Sequence, residues 1–214
     1  CQGDVHEAVV NGGTHPLVTV DPESSIVGRL SSALAYLSET NPDEGWDAFV
    51  EPATGLIECN NLASDTTPKW NKIVFSGHSQ GAGHAVWLAK KAVTLARAVS
   101  ISGPQDTNSS CSWVSHGGSL TPSIVSFAHA HESSISELVS NWESGFDLKT
   151  IRDVGSGTNA DMWKGADAIV TSIMPAITDP RLRPEHGSTA VDLFTPKNIG
   201  KNNMLKRNKT IIQK

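Results

Sequence analysis

The stretch NKIVFSGHSQGAGHAVWLAKK, residues 71–91, decides how this 214-residue chain is read. Within its first six residues Ile73, Val74 and Phe75 form a short apolar run with two β-branched members, the pattern of a buried strand. Gly77-His78-Ser79-Gln80-Gly81 follows at once, and residues 82–91 make a good helix sequence. A bare Gly-x-Ser-x-Gly says little in a chain rich in serine and glycine. At a strand-to-helix junction it says more, because the chain must turn so tightly that the serine takes a strained backbone. The residues two before and two after must then be small, a demand that Gly77 and Gly81 meet. Such a turn lifts the Ser79 hydroxyl above the sheet edge. It also aims a helix N-terminus, with its partial positive charge, at any oxyanion formed there.

The flanking sequence supplies the rest of a layered fold. Residues 97–102 (RAVSIS) read as a second buried strand closed by Gly103-Pro104, and 123–128 (SIVSFA) as a third. Residues 134–142 read as helix, 149–154 as a fourth strand, and 168–173 as a strand or hairpin arm. Upstream, Ile26, Val27, Leu30, Ala33, Leu34 and Leu37 recur at helical spacing until Asn41-Pro42 stops them. Residues 1–22 read as irregular with a short strand at 17–20, residues 175–184 as a proline-punctuated loop, and 189–194 as the start of a last helix. Strands alternating with helices predict an α/β fold, a mostly parallel sheet flanked by helices.

Composition is that of an ordinary globular chain, with 38% hydrophobic and 18% charged residues. No uncharged apolar run approaches the ~18 residues of a membrane span. Seventeen basic and 22 acidic residues give a net charge of −5, unevenly spread. Lys197, Lys201, Lys206, Arg207, Lys209 and Lys214 face no acidic residue in their segment, which leaves 11 basic against 22 acidic residues before it. The chain therefore divides into an acidic body, 1–196, and a basic C-terminal tail, 197–214. An acidic body offers no electrostatic basis for nucleic-acid binding. Three cysteines (Cys1, Cys59, Cys111) allow at most one internal disulfide and show no metal-ligand spacing. The start at Cys1 suggests a mature or truncated product, with a secreted or periplasmic setting slightly favoured.

VFSGHSQGAGHA, residues 74–85, resembles the nucleophile elbow of the α/β-hydrolase superfamily, in its serine esterase and lipase-like members. The resemblance extends over about 26–194 and is strongest at 72–91. It implies Ser79 as nucleophile and the backbone N–H of Gln80 as an oxyanion donor. A serine hydroxyl needs a general base, and the base an orienting acid. In this superfamily the chain order is serine, acid, histidine. His84 falls inside the helix after the elbow and His116 comes too early for an acid to precede it. His186, beside Gly187-Ser188 and ahead of the last expected helix, stands where the superfamily places its base. Glu132 is the first carboxylate after SIVSFA and the expected acid, although aspartate is commoner there; Asp153 is second choice and Asp147 third. His129-x-His131 is read as hydrogen bonding near this acid rather than as a metal site. Trp113 and Trp163 are candidate pocket walls, with core packing the plainer role.

The superfamily's sheet has strands before the nucleophile strand, and the 70 residues preceding NKIVFS offer no convincing buried pair. Gly12-Gly13 mimics an oxyanion glycine motif but is read as a turn. The expectation is an α/β-hydrolase-like domain that is N-terminally truncated or reduced, with a separate chain or segment supplying the missing strands. The implied activity is cleavage of a small-molecule carboxylic ester through an acyl-enzyme, with no cofactor and no metal. The alternative is a noncatalytic hydrolase-fold fragment or binding protein.

Overall fold

The computed structural model describes residues 2–52, 66–91, 93–106, 113–115, 124–155, 164–173, 175, 181 and 183–190. The first element corrects the sequence reading, for Gln2–Asn11 is a helix, α1, and not irregular chain. Gly12 ends it at φ 88°, its N–H returning to Ala8 O at 3.0 Å. A Cβ there would lie 2.6 Å from Pro22 Cα, which demands glycine; the pair read as a turn is instead the end of α1 and the first residue of a strand. It leads into a small antiparallel hairpin, β1 (Gly13–His15) with β2 (Val18–Val20). Helix α2 (Ile26–Thr40) begins at Ser25, whose hydroxyl accepts the Gly28 N–H at 3.0 Å, and ends at Asn41 as the sequence requires. A second antiparallel pair joins β3 (Val50–Pro52) to β4 (Thr66–Pro68).

The main sheet starts with the segment that opened the reading. Strand β5 (Val74–His78) runs into helix α3 (Gln80–Lys91) and returns as β6 (Arg97–Ile101). Strand β7 (Ile124–His129) precedes α4 (Ile135–Ser140), which runs on into a π-helical turn at Asn141–Gly145. Strands β8 (Ile151–Asp153) and β9 (Ala168–Thr171) follow, then the short helix α5 (Pro184–Gly187). The order is β5-β6-β7-β9-β8, and every pairing is parallel. Among the described residues this five-stranded parallel sheet with its helices is the core of an α/β architecture, and the two hairpins stand apart from it.

Register divides the sheet into two unlike faces. Phe75, Ala98 and Ile124 stand side by side, followed by Gly77, Ser100, Ser126 and Ala168. This face meets α3 and is closely buried: Ala98, Ser100, Ile124, Ser126 and Ala168 are all at most 6% exposed. Helix α3 is enclosed between the sheet and α1, with Ala82 through Lys90 buried. Its polar residues must therefore find internal partners. Lys90 donates to Val114 O and to Gly145 O at 3.0 Å, while burial pulls its ammonium down to about 8. On the opposite face Val74 and Ser76 are exposed, and Val99, Val125 and Phe127 are half-buried. NKIVFS is thus partly corrected. It supplies a strand, but one at the sheet edge among the described residues, with Val74 41% exposed, and residues 70–72 belong to a 3-10 turn.

Trp113 is 5% exposed and belongs to the core cluster with Trp70, Trp87 and Trp142, which settles its role as packing. Of the helix expected from 189 to 194, residues 189–190 are a turn and the rest lies outside the described residues, as do Cys1, Cys59, Cys111, Trp163 and the tail at 197–214. Among those described, no helix is long and apolar enough to cross a membrane.

Candidate active site

The carboxyl ends of β5, β6 and β7 bring the expected residues together. Parallel strands end on the same edge of a sheet, and loops leaving that edge converge there. Ser79 sits between β5 and α3 with φ 58°, a left-handed conformation costly for a residue with a Cβ. Its N–H donates to Ile101 O at 2.9 Å and its carbonyl accepts Ala82 N–H at 3.0 Å, so both sides of the turn are tied down. A Cβ on Gly77 would fall 1.9 Å from Gly81 O, which makes glycine obligatory there. At Gly81 an added Cβ meets nothing within 4 Å, so the smallness demand falls on position 77 alone. The N–H of Gln80 is one of the first-turn donors that α3 itself cannot satisfy.

His186 lies in α5, entered through Arg183 at φ 48° and Pro184. Its Nδ1 donates to Glu132 Oε2 at 2.7 Å. The carboxylate side chain is 1% exposed and the imidazole 14%. Glu132 Oε1 accepts two further bonds, from Ser102 Oγ at 2.7 Å and from His129 N–H at 3.0 Å. Burial alone would raise this carboxyl. The donors from His186, His129 and Ser102 outweigh it and hold Glu132 below its ordinary range, ionised at neutral pH. The ring of His186 lies 4.6 Å from that of His78, and His78 Nε2 donates to His186 O at 2.8 Å. His78 is the neighbour of Ser79 in the chain, so His186 and the Ser79 turn are in contact through it. No hydrogen bond joins Ser79 Oγ to His186 among the described residues.

The sequence candidates therefore separate cleanly. Glu132 and His186 are paired. Asp153 is exposed at the end of β8 and accepts the Gly155 N–H at 2.8 Å, while Asp147 is exposed and bound to Lys149. Neither reaches His186. His129 contributes as read, by hydrogen bonding beside the acid: its N–H holds Glu132, its Nε2–H donates to Ile173 O at 3.0 Å, and its Nδ1 accepts His131 N–H at 3.1 Å. Both ring nitrogens are thus spent on backbone groups, which leaves no lone pair for a metal. Desolvation lowers its pKa and keeps the ring neutral.

Three participants were not singled out from the sequence: His78, Ser102 and Thr189. Thr189 Oγ1 lies 2.7 Å from Ser102 Oγ and 3.0 Å from His186 O. The one available signal for Ser102 was its place at the end of a strand just before Gly103-Pro104. A second array, also unforeseen, joins His6 Nε2 to Asp106 at 2.7 Å and His6 Nδ1 to His84 Nδ1 at 2.7 Å. Among the described residues no group of three or more His, Cys, Asp or Glu is placed to hold a metal ion. Comparison with protein-family models, curated proteins and solved structures finds no match to this chain.

Proposed function

We propose that the protein is a serine hydrolase of carboxylic esters, built on a reduced α/β-hydrolase-like sheet. The observation that carries the reading is the Glu132–His186 bond, made beside a serine held at positive φ where β5 enters α3. Ser79 Oγ attacks the ester carbonyl while His186 Nε2 takes its proton. Glu132, ionised, fixes the Nδ1–H tautomer and stabilises the imidazolium that forms. The N–H of Gln80 and the positive end of α3 stabilise the tetrahedral oxyanion. Collapse expels the alcohol, which receives the proton from His186, and leaves an acyl-Ser79 ester. Water attacks that ester with His186 again as base, releasing the acid and restoring the serine. Nothing in this sequence of steps calls for a cofactor. Among the described residues β5 stands at the edge of the sheet, with Val74 exposed.

The test is turnover of short p-nitrophenyl esters together with labelling by a fluorophosphonate. Ser79→Ala is expected to abolish both, while the unaltered protein turns over and carries the label on Ser79. Folded protein that neither turns over nor labels would favour the binding-scaffold alternative. Activity retained by Ser79→Ala would refute the nucleophile.

A further inference from the structure

The Glu132 carboxylate accepts from Ser102, and the hydrogens available leave little freedom in how that bond is arranged. Ser102 and Thr189 have one hydroxyl hydrogen each. Ionised Glu132 has none to give, so the 2.7 Å contact between Ser102 Oγ and Glu132 Oε1 must use the hydrogen of Ser102. The 2.7 Å contact between Ser102 Oγ and Thr189 Oγ1 must then use the hydrogen of Thr189. Thr189 Oγ1 also donates toward His186 O at 3.0 Å, a carbonyl that His78 Nε2–H serves at 2.8 Å, so its one hydrogen is shared between Ser102 Oγ and His186 O. Ser102 donates to Glu132 and His186 Nδ1–H to the carboxylate's other oxygen, while Thr189 backs Ser102 with a hydrogen it shares with His186 O.

The backbone around Ser102 explains how a small side chain reaches this spot. Ser102 is fully buried and stands at φ 51°, a conformation disfavoured for a residue with a Cβ. Its N–H is held by Phe127 O at 2.8 Å. Gly103 packs so closely on the elbow that an added Cβ would lie 2.6 Å from Ser79 O and from Ala82 Cβ. The Gly103 carbonyl is fixed by Ser100 Oγ at 2.5 Å and by Trp142 Nε1 at 3.1 Å. Residues 102–103 thus touch the nucleophile turn on one side and the acid on the other.

We propose that Ser102, backed by Thr189, is a positioning residue: it orients the Glu132 carboxylate so that His186 keeps a single tautomer, in register with the Ser79 elbow. The proposal rests on the serine-hydrolase reading for its kinetic consequence. Its geometric consequence, a protected His186 Nδ1 proton, is observable without turnover. Despite its burial, Glu132 is held below its ordinary range by the bonds from His186 and His129, to which the Ser102 hydroxyl adds.

The decisive variant is Ser102→Gly, because glycine accepts the positive φ while removing only the hydroxyl. Loss of a bond to a charged group should lower kcat on p-nitrophenyl acetate roughly 10- to 100-fold, with KM changed less than about twofold. Thermal unfolding should be unchanged or later. The low-field proton resonance of His186 Nδ1 in the resting protein should shift upfield or vanish through faster exchange. Thr189→Val, which keeps shape and removes the donor behind Ser102, should cost about 2- to 10-fold in kcat, and Thr189→Ser should restore it. If Ser102→Gly keeps the wild-type kcat and the low-field resonance, the proposal is overturned. It is equally overturned if activity falls only in step with lost folded protein while the resonance persists. Should the wild-type protein neither turn over nor label, the hydrolase reading fails on its own account. The resonance in Ser102→Gly then still decides whether Ser102 orients Glu132.

Discussion

Two histidine–carboxylate arrays lie along the same helix, and they do opposite things with similar groups. At the amino end of α3, His186 spends Nδ1 on Glu132, and its ring stays partly open beside the elbow. One turn further on, His84 and His6 form a closed chain with Asp106, which also accepts from Trp113. A neutral His6 ring that donates its Nε2–H to Asp106 has only a lone pair on Nδ1, which must accept from His84 Nδ1–H. Both nitrogens of His6 are then occupied. Burial, and after it the nearness of His6, drives His84 down to about 4 despite the opposing pull of Asp106. A histidine beside a carboxylate is therefore not by that fact a base. What separates the arrays is the second nitrogen, which in His6 is tied to protein and in His186 has no described partner.

Glu132→Gln against Asp106→Asn tests this contrast most severely. The first places an amide where an acceptor is needed, disfavours the Nδ1–H tautomer, and should reduce kcat about 10³- to 10⁴-fold in a protein that still folds. Asp106→Asn leaves one of two donors, His6 or Trp113, poorly served. It should cost about 1–3 kcal/mol in urea unfolding and leave kcat of the folded protein nearly intact. The opposite pattern, with activity falling at Asp106 and holding at Glu132, would reverse the assignment of the two arrays.

Acid separates them next. The folded-state pKa of His84 is lowered from 6.5 to about 4. Between those values the unfolded chain binds a proton that the folded chain refuses. Stability thus falls on acidification across that window, by up to roughly 3 kcal/mol from this residue. His129, also kept neutral by desolvation, adds to the loss below 6.5. Glu132 acts lower: its folded pKa is depressed, so its contribution is complete above its unfolded value of 4.5 and disappears as pH drops through the folded one. His84→Asn keeps a donor toward His6 but cannot titrate. Urea unfolding at pH 7, 5.5 and 4 should show a shallower decline for the variant between 6.5 and 4, and a shared decline below. Parallel curves throughout would mean that His84 is not held neutral.

The site was more legible in the sequence than the frame around it, for reasons visible in single residues. Ser79, Glu132 and His186 could be named as candidates because a tight strand–helix turn restricts residue choice and because chain order in the resembled superfamily limits the partners; the structure pairs the last two. The Gly81 requirement was overread, since the clash that forces glycine is with the backbone facing Gly77. Helix α1 was missed because the residues burying it, among them Gly3, His6, Ala8 and Val10, give no apolar stripe of helical period. Its inward polar residue is satisfied only by His84 and Asp106, far along the chain. An apolar run such as NKIVFS announces a strand and says nothing of whether a neighbour covers it, hence the unforeseen edge. Ser102 and Thr189 were illegible for a related reason. Serine and threonine are common, and theirs become a chain only when β6, the loop after β7 and α5 meet.

The smallest expected effect divides the arrays along α3 itself. Gly81 and Gly83 are two residues apart in one helix, and glycine in a helix costs about 0.5–1 kcal/mol relative to alanine. A methyl at 81 enters open space, so Gly81→Ala should realise that gain. At 83 the same methyl would lie 2.7 Å from His6 Cε1 and 3.0 Å from its Nε2. The ring has little room to retreat: it bonds to Asp106 and His84 and packs edge-on against Trp113 at 5.2 Å. Gly83→Ala should therefore lose about 1–3 kcal/mol, as overpacking does in a filled interior. Urea midpoints of the two variants, measured side by side, should lie on opposite sides of the wild type. Were Gly83→Ala the more stable of the pair, the His6 array would be loose enough to yield, and the contrast between a closed chain at His6 and a more open one at His186 would lose its steric basis.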